Sequence, residues 1–574
     1  MGVFRHVTGR RDRLPVLVLL VAGLVTGGGQ PSQWDLADQA GREARWDPAG
    51  QSRQGARWAL GAQTGRTGQA APRTATTTAA TAATATATAT DLVTTAVTTA
   101  VTGTGTTAVT GTGTTAVTGT GTTAAAGTGA AAEPAFADYV AGLKADVARA
   151  WPRAGTLFPG ADFSTLVLLV SDGRQAAAIT AEGVTPTSVA EMERRGVAVP
   201  ELIAPAEWDG RHAVAINTAL GRLRFEPGPD GQRIGPVLTV FDKITHEAFR
   251  FYVQGFALGP DMVWPSLRAE GRRATEYPLR AAPRLYRAMI YNELREAYRA
   301  PDTRPARLAA AAYWAERWAR EFPAERRRIA VVDIDAGTAE YVGKSAVAMA
   351  AATPPGGRRE QRAFLLNELL KPATGGTDSV DLESYPIGLA AGLVADDLGL
   401  DWKAAVVNGP DTPLDLVVRG VTPSARPEPD GLRRTIDEQV AQANTEIAMD
   451  LDPAIAAFRD PRTALLLVPP PPEGTQPEPR SLSGEYIVER VPGTVYRRFT
   501  QKLRVNSGVL EAKELSVFAD QVDGVDYTII PFDPTGGDSP LSGDRVRFTS
   551  TDLTGDLQVR AGPMLAGKKT FVAQ

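Results

Sequence analysis

The chain has 574 residues, with 61 Lys and Arg against 65 Asp and Glu for a formal net charge of -4, three His and no Cys. So balanced a charge offers no long-range field to nucleic acid or to an anionic membrane, which excludes nucleic acid as an expected partner. The missing Cys excludes disulfide scaffolds, zinc fingers, iron–sulfur clusters and thiol catalysis, and leaves any transition-metal site to His212 or His246 helped by carboxylates.

Arg5, Arg10, Arg11 and Arg13 precede an apolar run, Leu14 to Val25, that ends in Thr26-Gly27-Gly28-Gly29. The run is shorter than the about 20 residues of a membrane-spanning helix and fits the roughly 7 to 15 of a secretory apolar region. Residues 1–30 are therefore expected to be a signal peptide or N-terminal anchor, and the protein to be secreted or attached to the cell envelope, with no membrane contact beyond that anchor. From Arg73 to Ala132 the chain is dominated by Thr and Ala, and the unit Val-Thr-Gly-Thr-Gly-Thr-Thr-Ala occurs at Val101, Val109 and Val117. Side chains this small cannot bury a core that offsets the entropy of ordering, so residues 31–132 are expected to be a disordered low-complexity stalk.

Folding is expected to begin near Glu133. Tyr139, Leu143, Val147 and Trp151 recur with a period of four and predict a helix over Asp138 to Trp151. Thr165 to Val170, a Ser171-Asp172-Gly173 turn and Ala176 to Thr180 predict a hairpin. Further strands are expected at His212 to Asn217, Leu220 to Phe225 and Pro236 to Phe241. Helices follow over Lys243 to Leu258, Pro283 to Tyr298, Arg304 to Glu321, Ala324 to Ala350, Gln361 to Leu369, Ile387 to Leu398 and Thr435 to Met449. A mixed sheet leading into a helical subdomain is an α+β pattern, here spanning residues 133–468. A Pro run, Pro469 to Pro472, opens an expected linker over residues 469–479. Beyond it, alternating segments at Glu485 to Val491, Val495 to Phe499, Gly508 to Phe518, Asp526 to Ile530, Arg545 to Thr549 and Leu557 to Arg560 predict a small all-β C-terminal domain, residues 480–574.

One constellation carries chemistry. Thr245-His246-Glu247-Ala248-Phe249-Arg250 differs from the zinc-peptidase motif H-E-x-x-H at its last residue only. In that motif two His at i and i+4 supply two nitrogen ligands from one helix face, and the Glu polarises the metal-bound water as general base. Arg250 stands where the second His would be, and a guanidinium has no lone pair and keeps its charge at any physiological pH. Downstream lies Asp335-Ala336-Gly337-Thr338-Ala339-Glu340-Tyr341-Val342-Gly343.

With these two segments the chain resembles a family of bacterial metallopeptidase-like proteins of the gluzincin type, whose members show a H-E-x-F-H helix followed by Gln and then E-G-x-A-E-Y. The resemblance runs from about Thr165 to Trp402, a little over two fifths of the chain, and includes His246, Glu247, Phe249, Gln254, Gly337, Ala339, Glu340 and Tyr341. It implies a zincin-like helical subdomain with His246 as first zinc ligand, Glu247 as general base and Glu340 as third ligand. Arg250 and Ala336, where the family has His and Glu, break the pattern. His212 is the further candidate for the missing nitrogen ligand, and Tyr385, ahead of the next helix, stands where related enzymes place an oxyanion donor.

Arg250 is expected to occupy the metal's space and to neutralise Glu340 and Glu247 through charge-assisted hydrogen bonds, so that Arg250→His would recover zinc binding. The Arg residues from Arg268 to Arg328 read as solvated helix faces, and the chain contains neither a phosphate-binding G-x-x-x-x-G-K-[ST] loop nor a G-x-S-x-G elbow. Three readings remain. In the first, the protein is an exported pseudopeptidase without cofactor that binds peptide or cell-envelope components; in the second, it is an active zinc metallohydrolase with zinc held by His246, Glu340 and another ligand; in the third, it is a surface interaction protein that binds through its β domain.

Overall fold

A computed structural model describes residues 136–218, 236–258, 263–268, 273–352, 357–377, 379–472, 480–536 and 541–574. The expected signal segment, the Thr/Ala stalk, the strand at Leu220 to Phe225 and most of the Pro-rich linker lie outside these residues. The described chain combines helices and strands in an α+β architecture.

The first sheet is five-stranded, in the order β3-β2-β1-β5-β4, with β1 (Val167–Ser171), β2 (Ala176–Ile179), β3 (Val184–Thr187), β4 (Ile203–Trp208) and β5 (Arg211–Asn217). β1 runs antiparallel to β2 and parallel to β5, so the sheet is mixed. Alternation along β1 divides its side chains between two cores. Leu168 and Val170 join the main core, where helix α1 (Phe136–Ala150) adds Leu143 and Val147. Val167 and Leu169 pack on the other face with Met192 of the short α2 (Val189–Arg194), Val197 and Trp208.

The segment from Pro236 to Phe241, expected as a strand, forms the first turns of helix α3 (Pro236–Tyr252). Its short apolar run fits either structure when read alone. The burial of Val240, Phe241, Ile244, Ala248 and Phe251 continues the run with helical spacing, and the tertiary core selects that face.

A short strand β6 (Thr275–Tyr277) precedes α4 (Ala281–Arg299), α5 (Arg304–Glu321), α6 (Pro323–Ala351), α7 (Arg358–Phe364), α8 (Ser384–Asp397), α9 (Trp402–Asn408), α10 (Pro413–Val418) and α11 (Asp430–Arg459). α6 is the central rod, buried at every residue from Val332 to Ala350 because α1, α3 and α8 pack around it. Glycines let the rods touch: a Cβ on Gly388 of α8 would lie 2.1 Å from the Gly337 Cα of α6, and one on Gly343 would lie 2.9 Å from Asp242 Oδ1 of α3.

The second sheet has ten strands in the order β12-β13-β14-β15-β7-β11-β10-β9-β8-β6. Its further members are β7 (Ala464–Val468), β8 (Gly484–Val488), β9 (Thr494–Val505), β10 (Gly508–Val522), β11 (Val525–Phe532), β12 (Leu541–Ser542), β13 (Arg545–Thr549), β14 (Leu553–Ala561) and β15 (Thr570–Ala573). Pairing of β14 with β10 closes β14, β15, β7, β11 and β10 into a ring around Leu466, Leu510, Val517, Ile530 and Leu557.

This sheet reaches back across the Pro-rich segment. β7 lies between β15 and β11, and β6 pairs in parallel with β8. The reason is composition: Ala464-Leu-Leu-Leu-Val468 is buried throughout, and a strand apolar on both faces belongs at the centre of a sheet. α11 binds the sheet to the helices. Arg497 Nε of β9 donates to Asp450 Oδ2 at 2.6 Å, and the Asn444 side chain bonds both the N–H and the C=O of Leu279. No helix of the described residues is long and apolar enough to cross a membrane.

Candidate functional site

Asp242, His246 and Arg250 recur at i, i+4 and i+8, on one face of α3. That face is turned inward against α6, so three polar residues that could have been solvated are buried. The two helices meet in antiparallel order. Asp242 faces Lys344, His246 faces Glu340, and Arg250 faces Asp335, one rung to each turn of α3.

On the middle rung His246 Nδ1 lies 3.4 Å from Glu340 Oε2, with the two residues only 4% and 3% exposed. The imidazole stacks on the Tyr385 ring, centroids 5.7 Å apart and planes 22° from parallel. Lys344 Nζ lies 3.5 Å from Glu340 Oε1 and donates to the Asp242 carboxylate. Burial pushes the Glu340 carboxyl up, but the Lys344 ammonium and the His246 hydrogen bond outweigh it and hold the group below its ordinary value. Burial also opposes charge on Lys344, yet Asp242 and Glu340 hold its pKa above the usual lysine value. The neighbouring Lys243 has no such close partner, and burial pushes its amine down to about 8.

The third rung is a fork. Arg250 Nε and Nη2 donate to the two oxygens of Asp335 at 3.1 and 3.3 Å, while Nη1 lies 3.4 Å from Glu247 Oε2. Arg273, in the segment leading into β6, donates from Nη2 to Asp335 Oδ2 at 3.0 Å and from Nη1 to Asp381 Oδ2 and the Tyr385 hydroxyl oxygen, both at 3.3 Å. Gln254 Nε2 donates to the Asp335 carbonyl and to Thr338 Oγ1, each at 2.9 Å, tying the end of α3 to α6. Burial raises the Asp335 carboxyl, but the Arg250 and Arg273 guanidiniums more than reverse this and hold it below its ordinary value. Burial pushes the Tyr385 hydroxyl up despite the same two guanidiniums.

The structure thus brings together His246, Glu247, Arg250, Glu340 and Tyr385, and corrects one partnership. Arg250 pairs with Asp335 and Glu247, and Glu340 is taken by His246 and Lys344. His212 does not join them. It is exposed on β5 and stacks on Tyr252, centroids 4.6 Å apart, while the Tyr252 hydroxyl donates to the Ala206 and Ala213 carbonyls of the β4–β5 hairpin. Strand alternation aims His212 at the far end of α3, beyond the rung that holds His246.

Asp335, Asp381, Lys344 and Asp242 carried no expected role, and Arg273, expected with its neighbours to be solvated, is buried, as are Arg284 and Arg287, because carboxylates of the core face all three. A signal for two of them was present: Asp335 and Lys344, like Glu340, are charges within the stretch of α6 from Ile329 to Ala350, which is otherwise mostly apolar. Arg273 comes from an irregular segment and Asp381 from a single 3-10 turn, Asp381–Glu383, and neither had a local signature.

The residues present do not fit a zinc ion. Among the described residues no group of three or more His, Asp or Glu is arranged to hold a metal. His246 is the one imidazole of the cluster, both Glu340 oxygens face protein donors, and the position of the second His holds a guanidinium bound to Asp335. In this cluster Nε2 of His246, Oε1 of Glu247, Oε1 of Glu340 and Oδ1 of Asp242 are buried without a hydrogen-bond partner, so Lys344 meets Glu340 as an ion pair only.

A second buried cluster adjoins the first through Asp333 and Glu383, each two residues from a member of the first. Arg287 donates to Asp333 at 2.7 Å and lies 2.8 Å from Glu383 without a well-directed hydrogen bond, while Arg284 donates to Glu325 at 2.5 Å and approaches Glu383 at 3.5 Å. Two guanidiniums are shared among three carboxylates, so burial prevails at Glu383 and pushes its pKa to about 7. The folded state therefore keeps this proton up to about pH 7, whereas the unfolded chain releases it near 4.5. Stability from this group is present in full below pH 4.5 and is lost as the pH rises through 7. Urea unfolding across this window is expected to show that decline in the wild type and a flatter profile in Glu383→Gln, with the variant the more stable at pH 8 by about 3 kcal/mol. Parallel profiles would show that Glu383 does not hold the proton.

Comparison with protein-family models, with curated proteins and with solved structures gave no match to this chain.

Proposed function

We propose that this chain is an exported relative of the gluzincin-type metallopeptidases in which buried ion pairs have replaced the metal centre, and that it works as a non-catalytic domain binding peptide or cell-envelope components. The observation that carries this reading is Arg250: at the position of the second His, its guanidinium forms a two-pronged salt bridge with Asp335 inside the core. A guanidinium cannot ligate a metal. The other expected catalytic groups are engaged as well, Glu247 by Arg250 and Tyr385 by Arg273. With one imidazole and paired carboxylates, the site has no means of generating a metal-bound water of pKa near 7. Export rests on the basic residues and the apolar run from Leu14 to Val25.

The test is the zinc content of the full chain, purified without chelator and quantified by elemental mass spectrometry, with His246→Ala as control. A folded protein with far less than stoichiometric zinc, and no peptide hydrolysis after zinc is added, is the expected result. Stoichiometric zinc that disappears in His246→Ala overturns the reading and makes the protein a metallohydrolase.

A further inference from the structure

We propose that Lys344, on α6, is the residue that takes the place of the metal at Glu340, and that Arg250 serves a separate rung; a metal site in this chain is closed by two cations, one on each helix. The inference rests on the reading of the cluster as a former metal centre. Its ground is the order of the rungs. Lys344 Nζ lies 3.5 Å from Glu340 Oε1 and donates to Asp242, whereas Arg250 meets Asp335 at 3.1 and 3.3 Å. Glu340 is the carboxylate that would have to bind metal, and Lys344 is the cation beside it.

The packing shows that this ammonium is built in. Lys344 is 3% exposed, and burial this complete penalises an ammonium unless carboxylates face it, as Asp242 and Glu340 do here. Gly343 beside it brings α3 close, since a Cβ there would lie 2.9 Å from Asp242 Oδ1 and 3.4 Å from His246 Cβ. Two acidic side chains, Asp242 and Glu340, converge on one nitrogen that carries a single positive charge. A divalent cation supplies the same compensation from the same place, so ammonium and metal exclude each other.

Arg250→His alone therefore adds a nitrogen donor and leaves the obstacle in place. Removing Lys344 alone leaves two buried carboxylates short of a cation and the second nitrogen donor missing. Arg250→His with Lys344→Met supplies the imidazole and frees Glu340. Asp335 keeps Arg273 at 3.0 Å as its partner when Arg250 is gone, which protects the fold.

The experiment compares full-length wild type, both single variants and the double variant by equilibrium dialysis against zinc with elemental analysis. Visible absorption of cobalt(II) reports coordination, and circular dichroism and thermal melting report the fold. The expected result is stoichiometric metal in the double variant alone, a cobalt(II) spectrum of four-coordinate type, a melting temperature raised by zinc, and loss of all three on adding His246→Ala. Arg250→His with Lys344→Gln serves as a second double variant that keeps a hydrogen-bond donor toward Asp242 should the first not fold. Equal zinc uptake by Arg250→His alone and by the double variant overturns the role of Lys344 while leaving the former metal centre standing. Failure of both folded double variants to bind zinc or cobalt overturns the two together, and zinc in the wild type overturns the parent reading by itself.

Discussion

Replacing Gly388 by alanine is expected to lower the unfolding free energy by ~3 kcal/mol or more, the upper end of what overpacking a core costs. The added Cβ would lie 2.1 Å from Gly337 Cα, 2.6 Å from its carbonyl carbon and 2.8 Å from its oxygen. These are backbone atoms of a buried helix and cannot rotate aside as a flexible side chain can. α6 and α8 must move apart along their contact, and that movement draws Tyr385 away from His246. Urea unfolding followed by tryptophan fluorescence measures the loss. Gly183→Ala, whose Cβ meets nothing within 4 Å, is the control and is expected to change stability by less than ~0.5 kcal/mol. A loss below ~1 kcal/mol in Gly388→Ala would show that the two helices do not cross in backbone contact.

Asp335→Asn is expected to cost about 3–5 kcal/mol, because removing one charge from a buried ion pair leaves its partners uncompensated. Asp335 takes four of the contacts made by Arg250, Arg273 and Gln254 when its backbone carbonyl is included, and the amide keeps the shape but loses the charge that faces two guanidiniums. The pH dependence follows with its sign. Two cations hold the Asp335 carboxyl below its ordinary value of 3.8 in the folded state, so its contribution is present above that pH and is lost as the pH falls below it. The wild type should therefore lose part of its stability at acid pH, and Asp335→Asn should lack that part. Combining it with Arg250→Met should cost less than the two single losses added together, since the residues share one interaction. A change within ~1 kcal/mol for Asp335→Asn would mean that the rung is solvated and the charges are worth little, as for surface pairs.

Both predictions concern contacts that no local pattern specifies, and here the sequence and the tertiary structure divide. The helices at Arg304–Glu321 and Pro323–Ala351 were legible almost to the residue because their apolar spacing is long and their Pro residues mark their starts. Pro236 to Phe241 was not legible, since a run of five or six apolar residues satisfies a strand and a helix equally until the core beyond it chooses a face. β7 was missed for a related reason: a short apolar strand next to a Pro run has no periodicity of its own, and its neighbours in the sheet lie 60 and more residues away in β11 and β15.

The site divides the same way. His246, Glu247 and Arg250 could be picked from motif spacing and residue chemistry, Glu340 and Tyr385 only through the family resemblance, and the fold places all five in one buried cluster. Which charge of α3 meets which charge of α6 depended on the antiparallel register of the two helices, where Gly343 lets α6 approach Asp242 and His246 of α3. That residue 250 cannot ligate a metal follows from its identity, because a guanidinium has no lone pair to offer. Glu340 and Lys344, four residues apart on α6, were neighbours already in the sequence; packing was needed to bring Arg250 to Asp335 and Lys344 to Asp242, 85 and 102 positions apart, and to leave His212 outside the cluster, because charge pairing acts over only a few ångströms.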